Sequence, residues 1–135
     1  MRVLLLGATG NLGLRLVPAL LAHNHNVFAY VRSPQKLESL LPASVFEQLS
    51  VVRGDSLDSQ AVKRALLENK CDAVINTSGG SAMAPWGSSD FGQIFRAVSD
   101  AVCEAGAERG KPLRVWFLGG IGVMKFPGTE TPLST

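Results

Sequence analysis

Histidine and cysteine are scarce, with two of each in 135 residues. Cys71 and Cys103 lie far apart, without a CxxC spacing or a histidine neighbour, which excludes a zinc cluster or a redox pair. Both are expected as buried free thiols, and no metal site is expected. Charge of one sign is equally thin. The formal net charge is +2, with no long run of like charges, so the chain lacks the electrostatic footprint that nucleic acid requires. Long apolar runs are missing too. The N-terminal run, Val3 to Leu6, is far too short for a membrane span or the core of a signal peptide, and a soluble, cytoplasmic protein with no membrane partner is expected. Tyrosine occurs once, at Tyr30.

What is present is a hydrophobic content of 46%, enough to fill the core of a single domain. Apolar runs alternate with helical patterns, the order of a repeated βα unit and therefore of a parallel sheet covered on both faces. Strands are expected at about 2–6, 26–31, 49–53, 72–77 and 113–119. Between the first two, Leu12, Leu16, Leu20 and Leu21 recur at helical spacing. Ser33-Pro34 reads as an N-cap and first helical residue of a short helix that runs through Leu41 and stops at Pro42. Asp58 caps a helix whose buried stripe includes Val62, Ala65 and Leu66, with Lys63, Arg64 and Glu68 on a solvated face. The strongest helical pattern follows: Phe91, Ile94, Phe95, Val98, Ala101, Val102 and Ala105 are expected in the core. The last strand, with Trp116 and Phe117, reads as buried on both faces. Residues 1–124 are thus expected to form one α/β domain and 125–135 a loop or tail.

The most telling segment is Val3 to Gly13, an apolar run that breaks into glycines at Gly7, Gly10 and Gly13 and then into an amphipathic stretch. It predicts a strand, a tight turn and a helix N-terminus, whose free N–H groups would face the pyrophosphate of a dinucleotide, with Thr9, Asn11 and Leu12 in the same turn. Five alternating units with right-handed crossovers give a doubly wound Rossmann sheet of order 3-2-1-4-5, and a ligand belongs at its carboxyl edge. There the chain becomes small or polar five times. Gly7 to Gly13 follow the first strand, Arg32 and Ser33 the second, Asp55 and Ser56 the third, Asn76 to Gly80 the fourth, and Leu118, Gly119 and Gly120 the fifth. An NAD-binding unit usually ends its second strand with an acid that holds the ribose hydroxyls. Here Arg32 and Ser33 stand in that place, with Lys36 one turn on, a set suited to a 2′-phosphate, so NADP(H) is expected over NAD(H). Asp55 would accept from the adenine amino group, or else simply form the turn before the next helix.

GATGNLG at Gly7 to Gly13, YVRSPQKL at Tyr30 to Leu37, GDSLD at Gly54 to Asp58 and VINTSGG at Val74 to Gly80 together resemble the atypical short-chain dehydrogenase/reductases. Within them the chain is most similar to the NmrA-like and NAD(P)H-binding branch, which includes the flavin/biliverdin reductase type. Ala84-Pro85-Trp86 and Phe117 to Gly120 resemble fungal members. The resemblance implies a nicotinamide beside Asn76, Thr77, Ser78 and Gly79 and beside Leu118 to Gly120. It also implies a catalytic serine after the fifth strand and a Tyr-x-x-x-Lys pair, and here the chain departs from the pattern. Gly119 to Gly122 occupy the serine's place, and Tyr30 is followed at the fourth residue by Pro34. Members of the family are considerably longer, so a shortened form or a minimal cofactor domain is expected.

Three functions follow. The first is an NADPH-dependent reductase in which solvent or the substrate supplies the proton, assisted by Ser78, Ser81 or Lys125. The second is an NmrA-like module that senses dinucleotide redox state and passes it to a partner. The third is a cofactor half that is inactive alone. The apolar loop Met83 to Gly87 would line a substrate pocket or a partner surface, and self-association through the edge of the sheet is expected.

Overall fold

The computed structural model describes residues 1–78, 91–118 and Gly128. Five strands, β1 (Arg2–Leu6), β2 (Asn26–Val31), β3 (Ser50–Arg53), β4 (Ala73–Asn76) and β5 (Arg114–Phe117), form one parallel sheet in the order β3-β2-β1-β4-β5. The helices are α1 (Asn11–Ala22), α2 (Pro34–Leu40), α3 (Ala43–Phe46), α4 (Ser59–Glu68) and α5 (Phe91–Arg109). This is the doubly wound Rossmann-like arrangement. The chain moves outward from β1 to β3, then returns to the other side of β1 for β4, which opens a crevice between the carboxyl ends of β1 and β4.

The near-continuous apolar runs of β1 and β2 reflect burial on both faces, because successive side chains point to opposite sides. Leu4, Leu6, Phe28 and Tyr30 pack with Val62 and Leu66 of α4 and with Ile94, Val98 and Ala101 of α5. Leu5, Val27, Ala29 and Val31 form the other layer with Val17 of α1 and Leu37 of α2. Asp58 and Ser33 cap α4 and α2 as their sequence positions predict: Asp58 Oδ1 accepts from the Ala61 N–H at 3.1 Å and Ser33 Oγ from the Lys36 N–H at 3.3 Å. α1 continues through the exposed Pro18, which leaves the Leu14 carbonyl without its helical donor.

Several expectations need correction. β5 is not buried on both faces: it is the edge of the sheet among the described strands, and Val115 and Trp116 are 43% and 48% exposed. Phe95 is not in the core; it is exposed on α5 and stacks against Phe117 with ring centroids 4.4 Å apart. Leu12 is exposed, and the buried residues of α1 are Gly13 and Val17. Cys71 is buried, but Cys103 is exposed. Lys63 does not simply face water: it reaches α5, with Nζ 2.9 Å from Glu108 and 3.8 Å from Glu104. The α3 turn after Pro42 went unforeseen because a single turn has too few residues to show a period. No helix among the described residues is long and apolar enough to cross a membrane.

Candidate functional site

The glycine loop is built by β1, β4 and α1 together. Gly7 has φ +82°, a left-handed conformation that side chains resist, and a Cβ there would lie 2.6 Å from both the Ser78 nitrogen and Thr77 Oγ1. The Thr77 hydroxyl donates to the Leu6 carbonyl at 2.9 Å and lies 3.2 Å from that of Gly7, lashing the end of β4 to the loop. Gly13 is buried, and a Cβ on it would collide with the Gly7 carbonyl oxygen and stand 2.8 Å from Ala8 Cα. Gly10 differs: a Cβ there would meet only the Gly7 carbonyl oxygen, at 3.4 Å, among the described residues.

Gly10 is the N-cap of α1 and offers no side chain to its first turn, which carries no acid. The first helical bond runs from the Leu14 N–H to the Gly10 carbonyl at 2.9 Å, so the N–H groups of Asn11, Leu12 and Gly13 have no acceptor within the helix. Three donors and the positive end of the helix dipole are thus left for an anion.

A groove of about 380 Å³ opens beside this turn. Its walls take Gly7, Thr9 and Gly10 from the loop, Arg32 and Ser33 from the end of β2, Lys36 from the first turn of α2, Asp55 and Ser56 from the end of β3, and Thr77 and Ser78 from the end of β4. Arg32 and Lys36 are exposed and in no ion pair among the described residues. Ser33 Oγ accepts from the Lys36 N–H, which leaves its hydroxyl hydrogen free to donate. Asp55 Oδ1 accepts from the Leu57 N–H at 2.9 Å, so the carboxylate is at least partly a turn former.

Other expected site residues lie outside these walls. Asn11 and Leu12 stand exposed on the first turn of α1, and Gly13 is buried behind it. Asn76 is buried, and its Oδ1 accepts from the Ser78 N–H at 3.1 Å and from the Ser78 hydroxyl at 2.5 Å; it orients Ser78 rather than facing the groove. Leu118 is exposed, its N–H donating to the Asn76 carbonyl at 3.0 Å. Gly79, Gly119 and Gly120 lie outside the described residues, as do Ser81, the Met83 to Gly87 loop and Lys125.

The sequence reading missed Tyr30, Val31, Leu57 and Ile94, which complete the groove. Tyr30 carried the only available signal, an aromatic residue near the end of β2, two places before Arg32. Its hydroxyl donates to the Asp55 carbonyl at 3.0 Å. Burial, reinforced by the charges of Asp58 and Asp55, pushes its pKa up to about 12. A phenol held protonated in this way is the reverse of an activated one. Because it is the chain's only tyrosine, phenolate absorbance reports it alone, and the midpoint is expected near 12 rather than 10. The folded state holds this proton more tightly than the unfolded chain, so stability is expected to fall as pH rises from 10 towards 12, and Tyr30→Phe should remove that component. A midpoint at 10 would contradict the buried, donating hydroxyl.

The donor set fits a dinucleotide. Helix N–H groups with no partner among the described residues and the space at Gly10 suit a pyrophosphate, and Arg32, Ser33 and Lys36 offer donors to a further anion. Among the described residues no group of three or more metal-ligating side chains comes together.

Comparison with known proteins agrees with this geometry. A family model described as NAD(P)H-binding matches residues 7–113. Among solved structures, an anaerobillin reductase from Escherichia coli is 26% identical, with a TM-score of 0.65 over 90% of this chain and 52% of its own. The Bordetella bronchiseptica enzyme WbmG, in complex with NAD and UDP, is 22% identical, with a TM-score of 0.68 over 100% of this chain and 43% of its own. A short-chain dehydrogenase/reductase from Veillonella parvula, in complex with NADP, is 18% identical, with a TM-score of 0.63 over 90% and 48%. The chain therefore spans about half the length of these solved relatives. No curated protein matches.

Proposed function

This chain belongs to the NAD(P)H-binding family, and from that premise we propose that the groove takes NADP(H) and serves an atypical NADPH-dependent reductase. One observation carries the reading: the uncapped first turn of α1 opens beside a groove whose wall from β2 into α2 bears Arg32, Ser33 and Lys36 and no carboxylate. The helix N–H groups hold the pyrophosphate, with Gly10 admitting it closely. Arg32, Ser33 and Lys36 hold the 2′-phosphate, while Asp55 and Ser56 meet the adenine. Thr77 and Ser78 bound the nicotinamide end.

When bound, the nicotinamide supplies the hydride. The protein's part is to orient and to manage protons. Ser78 gives its hydroxyl hydrogen to Asn76, so its oxygen faces the groove as an acceptor, suited to a carboxamide N–H. Tyr30 keeps its proton on the Asp55 carbonyl. Among the described residues neither is placed to protonate a substrate, and on this reading that proton comes from water or from the substrate itself. The reductase described for the 26%-identical neighbour supports this class of reaction.

The test is NADPH consumption by the purified protein against a panel of flavins, quinones and small carbonyls. Turnover with at least one of them is expected. Tight NADPH binding without turnover on any would replace the reductase with a dinucleotide-sensing module, which needs the glycine loop and Arg32 but no reducible substrate.

A further inference from the structure

We infer that Tyr30 is a positioning residue for adenine recognition, acting through the β3–α4 turn; the inference rests on the dinucleotide reading of the groove. Three hydrogen bonds converge on Asp55. Its carboxylate accepts from the Leu57 N–H at 2.9 Å, and its carbonyl accepts both from the Asp58 N–H and from the Tyr30 hydroxyl, each at 3.0 Å. Two of these are internal to the turn. The Tyr30 bond is the side-chain tie that fastens the turn to the neighbouring strand β2.

The ring of Tyr30 is also why residue 54 is glycine. A Cβ on Gly54 would run into the Tyr30 hydroxyl and ring and stand 2.7 Å from Cε2, so the backbone of the turn lies directly against the ring. The ring is 2% exposed, yet Tyr30 and Leu57 both line the groove with Asp55. The Gly54 N–H donates to the Val31 carbonyl at 3.0 Å and holds the start of the turn to β2; beyond that point the Tyr30 ring bounds the turn at Gly54 and the Tyr30 hydroxyl sets its rotation at Asp55. Asp55 Oδ2, which has no partner among the described residues, is thereby aimed as an acceptor. Adenine carries an exocyclic amino donor that such an acceptor reads, and hypoxanthine carries a carbonyl in its place.

The experiment compares wild type with Tyr30→Phe using NADPH, NADH and nicotinamide hypoxanthine dinucleotide phosphate in its reduced form. The wild type is expected to prefer NADPH over the hypoxanthine analogue by about tenfold, the scale of one hydrogen bond to a charged group. Tyr30→Phe should narrow that preference to about twofold. The ratio of NADPH to NADH, which depends on Arg32 rather than on the turn, should not move. A merely structural role would weaken all three ligands together and leave both ratios unchanged, and that result overturns the inference. The variant is expected to fold, because the Asp55 carbonyl keeps its Asp58 donor. Amide hydrogen exchange on the ligand-free variant should speed up at residues 54–58, and unchanged protection there would also overturn it. If the wild type binds none of the three ligands, the dinucleotide reading itself fails and the inference falls with it; if it binds NADPH and the hypoxanthine analogue equally, only the inference fails.

Discussion

Gly13→Ala is expected to cost about 2–3 kcal/mol of stability, whereas Gly10→Ala, three residues earlier in the same motif, is expected to leave the fold nearly unchanged and abolish most dinucleotide binding. At Gly13 the added methyl meets the Gly7 carbonyl oxygen and Ala8 Cα, which are backbone atoms at the turn out of β1. They cannot rotate away, so either α1 lifts off the sheet or the loop moves. Overpacking costs about 1–3 kcal/mol and more where, as here, the obstacle is backbone, so about 3–4 kcal/mol is expected before any compensation. Alanine's higher helix propensity returns at most about 1 kcal/mol. The net loss lowers the midpoint of thermal unfolding by roughly 10 °C. At Gly10 the backbone is extended, with φ −83° and ψ 171°, which alanine adopts freely, and its methyl would touch only the Gly7 oxygen at 3.4 Å. The methyl would instead fill the space through which a phosphate approaches the helix N–H groups. Binding is expected to weaken by at least about tenfold, or 1.4 kcal/mol, while urea unfolding shifts by less than about 1 kcal/mol. Equal effects on stability from the two substitutions would contradict the separation of packing and ligand roles within the loop.

Arg32→Asp is expected to invert the cofactor preference. On the proposed reading the guanidinium makes charge-assisted hydrogen bonds to the 2′-phosphate, each about 1.5–3 kcal/mol, so its loss weakens NADPH by roughly ten- to a hundredfold. The introduced carboxylate repels that phosphate and accepts from ribose hydroxyls, so NADH binding should hold or improve. Arg32 is exposed and in no ion pair among the described residues, so stability should scarcely change. Parallel titrations with both reduced cofactors check this. A variant that still prefers NADPH by the wild-type ratio would show that Arg32 does not read the phosphate.

Much of this architecture was legible from periodicity and punctuation. The runs at β1 and β2, the caps at Ser33 and Asp58, and the small or polar residues after successive strands place the crevice and most of its walls. What misled was the treatment of each element alone. Trp116 and Phe117 read as a buried run, yet the order 3-2-1-4-5 itself puts β5 at an edge, with β4 as its only neighbour among the described strands. Phe95 fits the helical period of α5, but it is exposed and meets Phe117 of the edge strand β5 instead of the core. Lys63 looks like an ordinary surface charge until α5 brings Glu104 and Glu108 alongside. Asn76 and Tyr30 show a further limit. Their side chains point at Ser78 and at Asp55, and nothing in the spacing of the sequence says which polar group a buried polar atom will find.

The central claim, that the groove beside α1 holds NADP(H), is tested most directly by calorimetric titration of the purified protein with NADPH and NADH in parallel. The account predicts micromolar binding of NADPH and at least about tenfold weaker binding of NADH. Tight binding of NADH with no gain for the phosphate would keep the dinucleotide and remove the role of Arg32, and binding of neither would contradict the claim outright.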